Sequence, residues 1–427
     1  MGNYDLLLLE GAGSARGINS DGVVVGSALA SDGAPYAAWW SPRLIGTQQI
    51  YSQPQTVGPA GGEFYSINDD GDAVGVFNGL IVYSVSTREL LADLESTLPI
   101  SLEYPFCDNN SSELVGTVGT DNESKGFIYN WKNKETTWLN PPLGQRSVTA
   151  MAIDSNGDVA GGVSSADGTN QGFLYTAGQW LFADRCILFD VNDKKLAVGG
   201  ILIYNEPTPP MYVDFSQSDP QVQQIPLLFE PVPGWCVALA VNSGGTIIGL
   251  ATEAPDDTIY PFVYQVGQVG AATNLNGLVQ LPAGVVLVDA WDINDAGQIV
   301  GYAFNADGVY FPYVATPIPA TPLPPSTLTQ CEIIAAEARV LIGHAGTTTS
   351  ALEIAQTIKS LKACVHDYPR SPEAPGWDSL IKTLEGLPEY PTKPDGWPQP
   401  PGFTPAQKAQ MAEARKRMLN RLIRRKG

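Results

Sequence analysis

The sequence is poor in the side chains on which many enzymes and metal centres depend. It has two histidines in 427 residues, His344 and His366, and both lie in the last quarter of the chain. Its five cysteines form no Cys-x-x-Cys pair. The first three quarters of the chain therefore cannot hold a histidine-based triad or a histidine-ligated metal, and the cysteines predict neither a disulfide framework nor a zinc site.

Long apolar runs and a positive net charge are missing as well. No apolar stretch approaches the roughly 18 residues of a membrane-spanning helix. Residues 1–12 have no basic segment before the short apolar run at 6–9, so we predict no secretory signal peptide within this sequence. The net charge of -20 argues against nucleic-acid binding by the main body of the chain.

One short motif recurs seven times. It reads aliphatic–Asn–x–x–Gly–x–aliphatic–aliphatic–Gly, and its copies begin 38 to 52 residues apart. The Asn position, which is Asp in one copy, is occupied by Asn19, Asn68, Asn109, Asp154, Asn192, Asn242 and Asn294. Ser112 and Lys195 replace the first glycine in two copies, which predicts local strain or a different turn there.

The motif predicts a hairpin, because Asn or Asp opens turns and a glycine three residues later adopts the left-handed conformation. An aromatic or β-branched run follows nearly every copy, as at 127–129, and predicts a further strand. Seven such units predict an all-β, seven-bladed β-propeller over residues 1–316, with a pair of β-sandwiches as the alternative. The N-terminal strand 4–9 is expected to close the last blade.

The inner strands show a size pattern before each motif Asn. Side chains three positions before it are mostly large, and those two positions before it are mostly small. Because strand side chains alternate, we interpret this pattern as one large face and one small face packing against neighbouring blades.

The repeat resembles that of the HAF-repeat family, whose signature is Ile-Asn-x-x-Gly-x-hydrophobic-Val-Gly followed by a His-Ala-Phe-Leu-Trp-like strand. The resemblance covers about residues 1–316, although the histidine of the second element is replaced, for example by Pro261. It implies an extracellular or cell-surface protein. It implies no catalytic residues, and the localisation stays open.

The last quarter of the chain has a different composition. A Pro-rich linker is predicted at 317–327, followed by a small α-helical region at 328–427 that ends in a basic amphipathic helix at 404–425. This helix carries Arg415, Arg417, Arg421, Arg424 and Arg425. Three interpretations remain open: a basic end packed on the other helices, a docking helix for a protein partner, or a contact with an anionic membrane or nucleic acid.

Acidic residues are expected to gather on one face of the ring, in the loops between the second and third strands of the blades. They are Asp32, Asp121, Glu123, Asp167, Glu206, Glu253, Asp256, Asp257 and Asp307. Such a face attracts basic partners or cations, unless it is an ordinary solvated surface. We expect no metal or cofactor. Calcium is the remaining alternative, since Asp154, Asn156 and Asp158 imitate a calcium loop but Val159 stands where that loop needs glycine.

Asp190 and Asp292 are the weak catalytic candidates. They share one repeat position on innermost strands, with Asp108 and Asp289 nearby in register. Paired carboxylates can hydrolyse glycosides. The alternative is a polar channel lining around ordered water.

Three functions follow as hypotheses. The first is a non-enzymatic binding or scaffolding protein, whose propeller presents a recognition surface to a protein partner and whose helical tail docks it into a larger assembly. The second is a carbohydrate-active or other hydrolytic propeller that uses the channel carboxylates. The third is a structural component of a surface or a virion.

Overall fold

The computed structural model describes most of residues 3–318 and a small part of the chain beyond them. The described residues are 3–45, 48–77, 79–94, 105–120, 123–165, 168–200, 209–227, 236–253, 258–305, 308–318, 335, 338–339, 357–358, 361–362 and 374–385. Residues 3–318 form seven antiparallel sheets of four or five strands and one two-stranded hairpin, and the inner strand of each large sheet contacts the inner strand of the next. The predicted seven-bladed β-propeller is confirmed.

The first three blades follow chain order from the inner to the outer strand. Blade 1 contains β2 (Gly13–Ile18), β3 (Val24–Leu29), β4 (Pro35–Trp40) and β7 (Gln55–Val57), with an inserted hairpin of β5 (Pro42–Ile45) and β6 (Gln48–Tyr51). Blade 2 contains β8 (Glu63–Ile67), β9 (Asp72–Val76), β10 (Leu80–Ser84) and β11 (Glu89–Asp93). Blade 3 contains β12 (Pro105–Asp108), β13 (Glu113–Thr120), β14 (Glu123–Asn130) and β15 (Glu135–Leu139).

Blades 4 to 6 repeat this order. Blade 4 contains β16 (Gln145–Ile153), β17 (Val159–Ser165), β18 (Asn170–Thr176) and β19 (Gln179–Asp184). Blade 5 contains β20 (Ile187–Val191), β21 (Leu196–Gly200), β22 (Pro210–Asp214) and β23 (Val222–Gln224). Blade 6 contains β24 (Val237–Val241), β25 (Thr246–Glu253), β26 (Thr258–Gln265) and β27 (Thr273–Asn274), followed by a 3-10 helix at Leu275–Gly277.

Blade 7 joins the two ends of the ring. Its inner strand is split into β28 (Val286–Leu287) and β29 (Asp292–Ile293), and β30 (Ile299–Phe304) and β31 (Tyr310–Pro317) follow. The N-terminal strand β1 (Tyr4–Leu8) pairs antiparallel with β31 and is the outermost strand of this blade. Closure by β1 covers an edge of β31 that would otherwise be free to pair with another chain.

The paired aliphatic residues of the motif build the core, which lies in seven apolar layers between blades. In blade 1, Val24 packs in the layer shared with blade 7, and its neighbour Val25 packs in the layer shared with blade 2. The same division holds for Ile247 and Ile248 in blade 6. Because successive strand side chains point to opposite faces, two adjacent aliphatic residues fill two joints.

The motif turns adopt one conformation in all seven copies. The first glycine has a positive φ in five copies, as at Gly22 with φ 76°. Ser112 and Lys195 take the same left-handed conformation, each with φ 63°. The two exceptions therefore keep the turn and accept the steric cost of a Cβ in that region.

Each motif Asn also ties its blade to the next one. The side-chain carbonyl oxygen accepts the N–H of the residue four positions on, and this closes its own turn, as Asn19 does with Val23 at 2.9 Å. The amide nitrogen donates to the backbone carbonyl of the equivalent residue in the next blade. The bridges are Asn19 to Asn68, Asn68 to Asn109, Asn109 to Asp154, Asn192 to Asn242, Asn242 to Asn294 and Asn294 to Asn19. These bonds measure 2.8–3.2 Å, and the last of them closes the ring.

The described part of the C-terminal quarter is short. It contains the helix α1 (Ala374–Glu385) and isolated helical residues within 335–362. Pro317 belongs to β31, so the strand extends one residue past the predicted domain end. Residues 319–327 of the predicted linker and the basic helix 404–425 lie outside the described residues. Within the part that is described, no helix is long and apolar enough to cross a membrane.

Candidate functional site: the central channel and its mouth

A β-bulge interrupts the inner strand of the first six blades, three positions before the motif Asn. The pairing register shifts between Leu188 and Asp190, for example, so that Phe189 is an extra residue. Phe189, Leu239 and Trp291, from three consecutive blades, pack around the same small cluster. The pattern of large and small residues therefore does not reflect two alternating faces, because the large residue is the bulge itself.

The bulge and the last glycine of the motif depend on each other. A Cβ on Gly199 would overlap the backbone carbonyl oxygen of Ile187, which lies two residues before the bulge. The same overlap with the inner strand occurs at Gly26, Gly161 and Gly249. The final glycine of the motif is required by this close approach of two backbones.

Asp190 and Asp292 each bind a backbone N–H of the next blade through a carboxylate oxygen, a contact here called a latch. Oδ2 of Asp190 accepts the backbone N–H of Val241 at 2.8 Å, and Oδ2 of Asp292 accepts that of Ile18 at 2.9 Å. In both cases the donor is the residue before the motif Asn of the next blade. The structure gives these two candidates a role in joining blades.

Asp108 contacts the preceding blade through a side-chain hydrogen bond. Its Oδ1 accepts the hydroxyl of Ser66 from the preceding blade at 2.5 Å. Its Oδ2 is buried and has no hydrogen-bond partner among the described residues. Cys107, its neighbour, is half-buried, and its Sγ lies 3.8 Å from the carbonyl oxygen of Ile153.

The carboxyls of this layer bind protons more tightly than free aspartate does. Burial, together with the charge of Asp292, raises the pKa of Asp190 to about 8 against the opposing effect of the Val241 N–H. Burial raises the pKa of Asp292 to about 6 and that of Asp108 well above its ordinary value. At neutral pH the channel therefore holds fewer negative charges than its three carboxyls suggest.

The inner strands of blades 7, 1 and 2 carry a charged and aromatic cluster that the sequence analysis did not single out. The guanidinium of Arg16 lies 4.1 Å from the ring centroid of Trp291, and its Nε donates to Glu63 Oε1 at 2.9 Å. The side chains of Arg16 and Glu63 are 17% and 14% exposed. Burial lowers the pKa of Arg16, but the charges of Glu63 and Asp289 outweigh it and raise the pKa.

Asp289 supports this cluster through three hydrogen bonds. Its Oδ2 accepts Trp291 Nε1 at 2.5 Å, its Oδ1 accepts the backbone N–H of Tyr302 at 2.8 Å, and its backbone oxygen accepts the Tyr313 hydroxyl at 2.6 Å. Burial raises the pKa of Asp289 to about 7, against the opposing effect of Arg16. The network holds the Trp291 ring and the Arg16 side chain in one arrangement.

The cluster lies toward the face on which the acidic loops were expected, here called the loop face. In an antiparallel blade, the start of the inner strand and the loop between the second and third strands lie at the same end. Glu63 begins its inner strand, and Asp32 lies on an exposed loop of blade 1, where its carboxylate accepts the Ala34 N–H at 2.9 Å. The one signal in the sequence is that Arg16 and Trp291 both lie three positions before a motif Asn, in the first and the last repeat.

Most other expected binding residues lie outside the described part of the chain. Glu123 and Glu253 lie at strand ends bordering the loops, and their side chains are outside the described set. Six acidic candidates lie wholly outside the described residues: Asp121, Asp167, Glu206, Asp256, Asp257 and Asp307. So do the basic residues Arg415, Arg417, Arg421, Arg424 and Arg425.

The calcium-like stretch forms a motif turn. Oδ1 of Asp154 accepts the backbone N–H groups of Asn156 and Asp158, each at 2.9 Å. Among the residues that the structure describes, no three His, Cys, Asp or Glu side chains are grouped so that they could hold a metal ion.

No protein-family model and no curated protein sequence matches the chain. Solved structures do match it. The structure of YCF48 bound to D1 peptide is 11% identical, covers 76% of this chain and 98% of that chain, and has a TM-score of 0.44. The β-propeller domain of the Trilobed protease from Pyrococcus furiosus is 9% identical, with 72% and 84% covered and a TM-score of 0.38. An acylaminoacyl peptidase from Pyrococcus horikoshii is 9% identical, with 73% and 52% covered and a TM-score of 0.44. At these identities the likeness concerns the fold alone.

Proposed function

We propose that this protein is a non-enzymatic binding scaffold whose loop face recognises a protein partner. The observation that carries the proposal is the use of the channel carboxylates. Asp190 and Asp292 each have an oxygen bound by a backbone N–H of the next blade, so they join blades. The ring is thereby a rigid support for the loops, and rigid supports with variable loops are typical of binding proteins.

The chemistry of the loop face favours a basic partner. The whole chain carries a net charge of -20, and the expected loop residues are acidic. The Arg16–Trp291–Glu63 cluster adds aromatic surface and hydrogen-bonding groups at the centre of this face. We further propose that the basic helix 404–425 docks the propeller into a larger assembly, and that the repeat belongs with the HAF-repeat type.

Affinity capture from the native source tests the proposal. The baits are the full chain, the chain ended at Ser326, and the full chain with Asp256→Ser and Asp257→Ser. A matched control carries Glu89→Ser and Asp219→Ser, which remove the same charge from exposed positions outside the loop face. We expect a partner that the control retains and the loop variant loses.

Two other results would change the conclusion. Capture by the full chain but not by the shortened chain would place recognition in the tail. Equal capture by the loop variant and its control would contradict recognition by the acidic loops.

The hydrolytic alternative has its own test. Burial separates the pKa of Asp190, about 8, from that of Asp292, about 6, and catalytic acid–base pairs show such a separation. If the channel is catalytic, Asp190→Asn and Asp292→Asn abolish hydrolysis of glycoside substrates. If the carboxylates are latches, the wild-type protein shows no such activity and both variants retain partner capture.

A further inference from the structure

One of the seven joints between blades lacks the bridge from its motif position, and in its place Asn156 of blade 4 donates its side-chain amide to the Asp193 carbonyl at 3.1 Å. Asp154 stands at the motif position in blade 4, so an oxygen occupies the place where six other blades have an amide nitrogen. Its Oδ1 closes the turn as in the other copies. Its Oδ2 is buried and has no hydrogen-bond partner among the described residues. The backbone carbonyl of Asn192, which a bridge from blade 4 would reach, is an acceptor as well.

The side chain four residues after the motif position is a second acceptor at this joint. In blades 3 and 7 the motif amide also donates to the side chain four residues on, as Asn109 does to Glu113 at 3.1 Å and Asn294 to Gln298 at 3.0 Å. In blade 4 that residue is Asp158, whose buried Oδ2 has no hydrogen-bond partner among the described residues and lies 3.6 Å from Lys195 Nζ. At this joint an acceptor thus stands where the other blades have a donor, and a buried acceptor without a donor is costly.

We propose that the joint between blades 4 and 5 is a proton-controlled seam, in which the Asp154 carboxyl takes up a proton from solvent on Oδ2 and donates it to the Asn192 carbonyl. The protonated carboxyl reproduces the bridge of the other six joints. When the proton leaves, the carboxylate faces acceptors, and this joint becomes the first to open.

The charged groups around Asp154 agree with this assignment. Burial and the charges of Asp158 and Asp193 raise the pKa of Asp154 to about 6, against the opposing effect of the backbone N–H groups that its carboxylate accepts. Lys195 lies 3.6 Å from Asp158 and partly neutralises that carboxylate. The neighbouring Lys194 donates to the carbonyl oxygen of Ser243. Three other titratable groups face this region: Glu113 across the turn, and Asp190 and Cys107 on adjoining inner strands.

The sign of the pH dependence follows from the raised pKa. The folded state holds the Asp154 proton more tightly than the unfolded chain, so this contribution to stability is complete at about pH 4 and is lost as the pH rises through about 6. A shift of about two pH units corresponds to about a hundredfold change in the unfolding equilibrium constant.

Hydrogen exchange of the full-length protein, at about pH 5 and about pH 8 and corrected for intrinsic exchange rates, tests the proposal. We expect the protection of β16 and β20 to fall at the higher pH in the wild type. In Asp154→Asn, the amide donates at every pH, so the fall in protection should be smaller than in the wild type, and the fall that remains comes from Asp190, whose pKa is also raised. Asn242→Asp is the matched variant, because it places a carboxylate at an intact joint and should transfer the pH dependence to blades 6 and 7.

Two outcomes would overturn the proposal. The first is a parallel loss of protection in the wild type and in Asp154→Asn. The second is full protection of the wild type at about pH 8 after addition of calcium or potassium chloride, because a bound cation would then fill the joint instead of a proton.

Discussion

Each motif asparagine uses both ends of one amide group. The carbonyl end closes a turn within its own blade, and the nitrogen end reaches the backbone of the next blade. An aspartate can perform the first function but requires a proton for the second. This difference explains why Asp154 is the exceptional position, although Asn and Asp are equally good turn residues.

Ser112 offers a test of strain at a single residue. It has φ 63°, and its buried hydroxyl has no hydrogen-bond partner among the described residues. Ser112→Gly should raise the free energy of unfolding by about 1 kcal/mol, because it relieves the left-handed strain and removes an unbonded hydroxyl. Urea denaturation measures the change. Gly245→Ser, at the equivalent turn of blade 6, should lower stability by a similar amount, and the absence of both effects would refute the strain argument.

Asp190 offers a test of the latches. Asp190→Ala leaves the Val241 N–H without its acceptor and should cost about 1–3 kcal/mol, whereas Asp190→Asn keeps an acceptor and should cost less. The raised pKa gives the sign for pH: the wild type loses stability as the pH rises from about 4 to about 8, and Asp190→Asn lacks this contribution. Denaturation across this range should show that the free energy of unfolding of Asp190→Asn rises relative to that of the wild type as the pH increases. A constant difference would mean that Asp190 does not bind the proton.

The hairpin is the element in which sequence and structure are most closely connected. Three parts of the hairpin each meet one geometric requirement: the left-handed turn, the two aliphatic residues and the last glycine. The turn and the strands could be predicted from the sequence, because Asn, Gly and β-branched residues have strong local preferences. The bulge could not be predicted, because it is defined by how the inner strand pairs with its partner strand. An extra residue in the inner strand leaves the spacing to the motif Asn unchanged.

Gly199 and Gly200 provide a matched test of this element. A Cβ on Gly199 would overlap the Ile187 carbonyl oxygen, whereas a Cβ on Gly200 would lie 3.3 Å from its nearest neighbour, the Cys236 carbonyl oxygen. Gly199→Ala should therefore cost about 3 kcal/mol or more, and Gly200→Ala about 1 kcal/mol. Thermal and chemical denaturation compare the two. Equal costs would show that the bulge relaxes to admit a side chain.

The site was less predictable than the fold for a physical reason. Position in the repeat placed Asp190 and Asp292 on inner strands, but their partners are backbone N–H groups of the next blade, which no sequence pattern reports. Arg16 and Trp291 lie 275 residues apart in sequence and meet because the ring closes. Contacts across the closure depend on blade number and tilt, which are properties of the assembled ring.

The whole molecule is a closed ring of seven similar joints. Each joint combines an apolar layer with polar contacts near the axis, and the strand β1 covers the outer edge of blade 7. A ring distributes its stability over its joints, so the weakest joint determines where it opens. In this molecule the joint after blade 4 lacks the bridge that the other six share.

Equilibrium unfolding of Asn242→Ala beside Asp154→Ala tests the bridges most directly. Asn242→Ala loses one turn hydrogen bond and one bridge, whereas Asp154→Ala loses the two turn hydrogen bonds that its Oδ1 accepts but also removes an unbonded carboxylate oxygen. At about pH 8, Asn242→Ala should therefore lower the free energy of unfolding by about 1–2 kcal/mol more than Asp154→Ala does. Equal losses would contradict the account, because the motif asparagines would then act within their own turns and would not hold the ring together.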